Sequence, residues 1–222
     1  MKITVIQNSA YGRAGLVEKF MASKDWTCRR TISSKEIVTT DLGNVVDDAV
    51  VFLGSRRGVY ESHVQWIARE RALMKRLVAN SVPVFGICFG AQLLATAIGG
   101  TVAPMGHRHR GWMENSTASA PIWEGPWLRW HGDFITLPDE VDVFARDDNT
   151  VQAFAHGNAI GVQFHPEVSG SVLQEWSAYR GSMSYEDQSA LDAALHYADT
   201  HSEKIQKRAF DLFEVIFCSI TS

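Results

Sequence analysis

Cysteine is scarce in this chain, and it shows neither an excess of positive charge nor a long apolar run. The three cysteines, Cys28, Cys88 and Cys218, are odd in number and far apart. They make neither a disulfide framework nor a zinc pattern, so a reducing, cytoplasmic setting is expected. The formal net charge is −4 and the pI is near 6.0. That balance argues against a nucleic-acid binder held by phosphate contacts. No apolar stretch reaches the roughly 18 residues that a membrane span needs. The opening Met1-Lys2-Ile3-Thr4-Val5-Ile6 turns polar too soon for a signal peptide and reads as a first strand. No P-loop, internal repeat, low-complexity run or interdomain linker interrupts the 222 residues. The composition, 45% hydrophobic and 21% charged, suits one sizeable α/β domain over 1–222 with a good core.

What is present centres on Pro83-Val84-Phe85-Gly86-Ile87-Cys88-Phe89-Gly90-Ala91-Gln92. Ser81 to Ile87 is short, apolar and β-branched, and reads as a buried strand. Ala91 to Ile98 is rich in Ala and Leu and reads as a helix stopped by Gly99-Gly100. Between them, Gly86-x-Cys88-x-Gly90 has the spacing of a nucleophile elbow. A reactive side chain at the apex of a strand-to-helix turn sits in a strained conformation, and its neighbours must lack Cβ for the chain to close. The positive end of the helix dipole also favours an anion at Cys88. A buried structural cysteine in a glycine turn is the plainer alternative.

A second stretch, Ala159-Ile160-Gly161-Val162-Gln163-Phe164-His165-Pro166-Glu167, is a short apolar strand ending in His-Pro-Glu. In an extended chain, residues two apart point the same way, so His165 and Glu167 can meet at the strand's end. The carboxylate would then fix the imidazole and its tautomer. Cys, His and Glu follow in the chain order nucleophile, base, orienter.

In chain order, strands are expected at Lys2–Gln7, Trp26–Ile32 and Ala49–Gly54, and helices at Gly12–Ser23 and Glu61–Ala79. A polar loop and a turn near Asp47-Asp48 separate the second and third strands. On the first helix Leu16, Val17 and Phe20 share a face. On the second helix Val64, Ile67, Ala68, Arg71, Leu73, Met74 and Leu77 carry the helical period. This alternation implies an α/β fold with a doubly wound, mostly parallel central sheet and helices on both faces. Ligands of such sheets bind beyond the carboxyl ends of the strands, where Cys88 would lie. Thr101–Ala120 and Trp127–Phe154 read as short strands and turns punctuated by Pro104, Pro121, Pro126 and Pro138. They form an antiparallel excursion at the sheet edge. Gln152–Phe164 reads as a hairpin around His156-Gly157-Asn158. Helices close the chain over about 169–220, Ser169–Tyr179 and then Tyr185 to about Ile220. The apolar face of the last helix is either core or the seam of a homodimer.

Gly-Ile-Cys-Phe-Gly-Ala-Gln and Gln-Phe-His-Pro-Glu, in this order, resemble the class I glutamine amidotransferases with their Cys-His-Glu triad. The likeness runs from about Val50 to Trp176 and is similar to the amidotransferase domain of GMP synthase. The resemblance implies a flavodoxin-like fold, with Cys88 as nucleophile, His165 as general base and acid, and Glu167 as its orienter. The oxyanion hole is expected from the backbone N–H of Phe89 and from Gly54 or Ser55. There the family's Gly-Gly-Pro turn is replaced by Gly54-Ser55-Arg56-Arg57-Gly58. The two arginines either recognise a carboxylate or are solvated loop charge. Gln92, one helical turn after Cys88, is carried over as a contact to the amino-acid end of the substrate. Trp130-His131-Gly132-Asp133 resembles the family's His-Gly-Asp segment, so main-chain contacts to substrate are expected at His131, Gly132, Asp133 and Phe134. Gly111-Trp112 matches too, with Arg110 where an acid is common.

The implied reaction is hydrolysis of the γ-amide of glutamine, or of another γ-glutamyl compound, through a Cys88 thioester. It requires no metal or organic cofactor. Ammonia would pass to a separate synthetase or ligase subunit. The alternatives are a stand-alone γ-glutamyl hydrolase and a non-catalytic regulatory relative. His107 and His109, flanked by arginines, read as a solvated loop rather than a cation site. Trp112, Trp123, Trp127 and Trp130 read as core and pocket wall, and Cys28 and Cys218 as ordinary buried residues.

Overall fold

A computed structural model of the chain describes residues 1–33, 36–39, 47–147 and 150–221. Five short strands form the parallel half of the main sheet: β1 (Lys2–Gln7), β2 (Thr27–Ser33), β3 (Ala49–Phe52), β4 (Val84–Ile87) and β10 (Ala159–Val162). Three antiparallel strands extend it, namely β9 (Val151–His156), β8 (Asp142–Arg146) and β6 (Thr117–Ala118). The order is β2-β1-β3-β4-β10-β9-β8-β6, with β10 parallel to β4 and antiparallel to β9. β3, β4 and β10 are buried along their whole length, which is why they read as continuous apolar runs.

Side-chain alternation divides the core into two layers. Ile3, Val5, Val51, Phe85 and Ile87 face one side of the sheet and join the apolar residues of α1 (Leu16–Ser23), α5 (Gly170–Trp176), α6 (Tyr185–Thr200) and α7 (Ser202–Ile220). Ile6, Val50, Phe52 and Val84 face the other side and join α3 (Gln65–Ala79) and α4 (Phe89–Ala97). A single helical turn, α2 (Glu36–Thr39), adds Ile37 to that second layer. The polar loop expected before Asp47 otherwise lies outside the described residues. The fold is the doubly wound α/β architecture expected.

Several boundaries differ from expectation, each for a local reason. α1 begins at Leu16 rather than Gly12 because Gly15 adopts φ 51°, and the Leu16 N–H is given to the Glu167 carbonyl at 2.8 Å. A Cβ on Gly15 would collide with that same carbonyl oxygen. α3 begins at Gln65 rather than Glu61 because the Glu61 carboxylate accepts from the Gly58 N–H at 2.8 Å and from Arg57 at 2.6 Å. On α3 Ala68 is exposed and Glu70 is buried, the reverse of what residue type suggests. In the segment after Gly100, β6, β8 and β9 are the short antiparallel strands expected at the sheet edge, but two strands are long. β5 (Thr101–Met113) pairs antiparallel with β7 (Trp127–Thr136) as a long ribbon separate from the main sheet. Pro104 is tolerated because every strand of a two-stranded ribbon is an edge, and the register breaks between Pro104 and His109.

The closing helical segment is two helices broken at His201, whose ring stacks on Tyr197 at 4.1 Å. The apolar face of α7 is covered by the sheet and α1, so it is core. Cys28 and Cys218 are exposed, not buried. Cys28 lies on the outermost strand of the sheet, and Cys218 points away from the α7 face that carries Ile216, Phe217 and Ile220.

Phe217 is 1% exposed and stacks on Phe20 at 5.9 Å, with Trp26 edge-on at 5.2 Å. Phe217→Ala is expected to lower unfolding free energy by about 3–5 kcal/mol. Val215→Ala, two residues away and exposed, is expected to change it by less than about 0.5 kcal/mol. Urea midpoints of the two variants check this.

Candidate active site

The end of β4 hands the chain directly into α4 with Cys88 at the corner, at φ 53° and ψ −104°. Such a backbone is strained by about 1–3 kcal/mol and needs support from its surroundings. The Cys88 N–H bonds the Val162 carbonyl at 2.8 Å, and the Cys88 carbonyl accepts the Gln92 N–H at 2.9 Å. Gly90 lets α4 press onto β3, since a Cβ there would strike the Phe52 backbone oxygen. The Cys88 side chain is 5% exposed and lines a cavity of about 320 Å³.

His165 arrives three residues beyond the end of β10, in a turn rather than on the strand itself. Its N–H is fixed by the Leu128 carbonyl at 2.8 Å. His165 Nδ1 donates to Glu167 Oε1 at 2.8 Å, which leaves Nε2 for the thiol. Both side chains are nearly fully buried. Burial opposes a charge on His165, but the Glu167 carboxylate and the Cys88 sulfur outweigh it and hold the pKa well above the ordinary value. Gln163 Nε2 reaches Cys88 Sγ at 3.7 Å. Gly54 closes the group from above: a Cβ there would lie 3.1 Å from His165 Cε1 and 3.8 Å from Cys88 Cβ. The turn that carries Gly54 and Ser55 therefore sits on Cys88 and His165 together. Phe89 is the first residue of α4, so its N–H points out of the helix end beside Cys88.

Gln92, His131, Gly132 and Asp133 lie around the same site, and all but Phe134 of the expected contact segment line the Cys88 cavity. The Asp133 carboxylate itself faces the cavity and accepts a hydrogen bond from Tyr60 at 3.1 Å. Burial raises its pKa, against hydrogen bonds from Tyr60 and Gln92 and the attraction of Arg108. His131 is buried, with Nδ1 3.1 Å from the Asp133 carbonyl. Burial, reinforced by His109, pushes its pKa down to about 3, so the ring is neutral. Arg56 and Arg57 are exposed at the mouth, Arg57 paired with Glu61 and Arg56 stacked over Tyr179 at 4.8 Å.

A second cavity of about 340 Å³ adjoins the first and is lined by His165 and Glu167. Its walls include Tyr11, Trp176 and Tyr179, which sequence reading passed over because they are far apart in the chain. Arg110 bonds Asp187 on α6, and Arg108 approaches the same carboxylate at 3.5 Å, so the position where an acid is common in the family ties β5 to α6. His109 is not in a solvated loop. It lies on β5, 3.2 Å from Asp147, with its ring against His131. Among the described residues no group of three His, Cys, Asp or Glu could hold a metal ion, and no helix is long and apolar enough to cross a membrane.

Residues 32–176 match the family model described as glutamine amidotransferase class-I. The chain is a class I glutamine amidotransferase family member. Among curated relatives, a glutamine-hydrolysing GMP synthase of Thermomicrobium roseum is 34% identical over 158 residues, 67% of this chain and 26% of that protein. The chain thus spans about a quarter of the GMP synthases it matches. A glutamine amidotransferase-like protein of Acanthamoeba polyphaga mimivirus is 26% identical over 68% of this chain and 71% of its own length. Among solved structures, a glutamine amidotransferase of Thermotoga maritima superposes with a TM-score of 0.85 at 22% identity, covering 97% of both chains. That likeness carries the flavodoxin-like amidotransferase fold.

One buried acid sits just behind the Gly54 turn. Glu70 on α3 accepts from Asn8 Nδ2 at 3.3 Å, and Asn8 also reaches the Leu53 carbonyl at 3.5 Å. Burial pushes the Glu70 pKa up to about 8. The folded chain then holds a proton that the unfolded chain has released, so stability falls as pH rises from about 4.5 to 8. Glu70→Gln keeps the shape without the proton and is expected to flatten that fall, by on the order of a few kcal/mol at pH 8. Urea unfolding of both proteins at pH 5 and pH 8 tests it.

Proposed function

We propose that Cys88, His165 and Glu167 hydrolyse the γ-amide of glutamine through a covalent γ-glutamyl thioester. The observation that carries the reading is the buried convergence of the three groups under Gly54, with His165 held by Glu167 at 2.8 Å. His165 Nε2 takes the Cys88 proton and the thiolate attacks the γ-carbonyl carbon. The oxyanion is received by the N–H groups of Phe89 and of Gly54 or Ser55. His165 returns the proton to the leaving nitrogen, ammonia departs, and the C–N bond has been exchanged for C–S. Water, deprotonated by His165, attacks the thioester carbonyl. Glutamate leaves and the thiol is restored. Protein groups and water suffice for every step.

The amino-acid end of glutamine fits the Cys88 cavity. Asp133 offers a carboxylate to the α-ammonium, beside Gln92 and the main chain of His131 and Gly132. Arg57, at the mouth of this cavity, offers a guanidinium group to the α-carboxylate. A neutral His131 leaves the proton transfers to His165. Residues 1–222 would act as one amidotransferase-like domain in a reducing cytoplasm, passing ammonia to a separate synthetase. The relatives named GMP synthase, of which this chain spans about a quarter, support that arrangement. The second cavity favours another reading, hydrolysis of a larger γ-glutamyl amide complete in this chain.

Glutamate release from glutamine is expected from the purified chain. Cys88→Ala should lower it at least ~10³-fold, and His165→Ala comparably, because members of a triad fail as a unit. Release undiminished in Cys88→Ala would overturn the assignment.

A further inference from the structure

The two cavities divide the scissile bond between them. Cys88, Gln92 and Asp133 line the first, while His165 and Glu167 line the second, and Ser55, Arg56, Arg108 and Trp130 are common to both. The group that protonates the departing nitrogen must face that nitrogen. A γ-glutamyl chain lying in the first cavity with its carbonyl at Cys88 therefore projects its amine past His165 into the second. Ammonia needs no room there, yet the room is built. Trp176 stands edge-on to His165 with ring centroids 5.6 Å apart, and its indole N–H is anchored to the Tyr11 carbonyl at 3.1 Å. Trp130 meets Trp176 at 5.8 Å, and Tyr11 meets Tyr179 at 4.5 Å, so an aromatic wall runs outward from the catalytic imidazole.

The charge in this space is equally ordered. The Glu167 carboxylate is engaged by His165, and Asp187 is held by Arg110 and Arg108. Arg56 lies over the Tyr179 ring, and among the described residues it has no carboxylate within ion-pair distance. A cavity of a few hundred Å³ with an aromatic wall and a cation, Arg56, that has no carboxylate partner is a usual form of a site for a small ligand.

We infer that the second cavity is the leaving-amine site of the Cys88 centre and takes an aromatic amine bearing a carboxylate, so that a γ-glutamyl aromatic amino acid is a preferred substrate. The inference rests on the Cys88 reading above. The aromatic ring packs on Trp176 and Tyr179, and the carboxylate meets Arg56. In the reaction the γ-carbon–nitrogen bond breaks as the carbon–sulfur bond forms. The amine takes its proton from His165 and leaves as the free amino acid. Water then cleaves the thioester to glutamate.

Binding to the Cys88→Ala protein by titration calorimetry isolates the cavity from the chemistry. γ-Glutamyl-phenylalanine is expected to bind at least ~10-fold more tightly than glutamine or γ-glutamyl-glycine. γ-Glutamyl-phenethylamine, which lacks the carboxylate, should bind several-fold more weakly than γ-glutamyl-phenylalanine, and Arg56→Gln should erase that difference. Tyr179→Ala should reduce the aromatic preference. The ligand series in Cys88→Ala alone decides the matter if Tyr179→Ala does not fold. Equal binding of all four compounds overturns the inference. Wild-type glutamate release, read in parallel, separates the two claims. Release from glutamine without the binding preference sinks the cavity assignment alone. The binding preference without any release sinks the thioester reading and leaves the cavity as a γ-glutamyl aromatic site.

Discussion

The close approach of α4 to the sheet is the constraint on which the rest depends. Cys88 occupies a backbone conformation that no ordinary turn stabilises, and it stays there because the chain on either side cannot move. Gly90 is packed against the Phe52 carbonyl, and a Cβ on Gly86 would stand 2.7 Å from the Gly90 carbonyl. Two missing side chains therefore let one helix begin inside the space where a strand ends. The same approach brings β3 and β10 to the two flanks of the elbow. β3 leads to Gly54 above the sulfur, and β10 leads to His165 beside it. The elbow is thus a corner shared by three strands, and its strain is distributed over the parallel centre of the sheet.

Charge in the site is sorted by partners rather than by burial. His131 and His165 are both buried, yet they sit on opposite sides of the ordinary imidazole range. His131 has a backbone carbonyl at Nδ1, and burial leaves it neutral with a pKa near 3. His165 has a carboxylate at Nδ1 and a sulfur as its other neighbour, and these outweigh burial. The anionic neighbours Glu167 and Cys88, which His131 lacks, separate a ring that packs from a ring that can carry a proton. Glu167 is itself tied down twice, through His165 and through its own carbonyl, which receives the first N–H of α1. The start of α1 is in this way part of the support of the site.

Those parts of the molecule governed by local pattern were legible in the sequence. The apolar runs of β3, β4 and β10 and the spacing Gly86-x-Cys88-x-Gly90 depend on residues within one element, as does the pairing of His165 with Glu167. What was not legible depends on contacts between distant segments. β5 reads as broken because Pro104 interrupts it, yet pairing with β7 up to Pro104 and again from His109 joins the two parts into one strand. The break at His201 leaves no glycine or proline to announce it. Glu70 looks like a surface residue on the helical period and becomes a buried acid only because Asn8, from the turn after β1, meets it. Cys28 and Cys218 are hydrophobic in type, but an edge strand and the outer face of a helix leave them exposed.

The aromatic wall beside His165 is the extreme case of that second kind. Tyr11 follows β1, Trp130 lies on β7, and Trp176 and Tyr179 flank the end of α5, so no window of sequence contains them together. The elbow and the His-Pro-Glu turn are short because covalent chemistry on a carbonyl demands only a nucleophile, a proton carrier and an oxyanion site. Selection of the amine demands a surface, and a surface has to be assembled from several elements. Residues outside the motifs have to distinguish ammonia from a larger amine. In this chain those residues are aromatic, they begin at van der Waals range from the imidazole, and they end at an arginine.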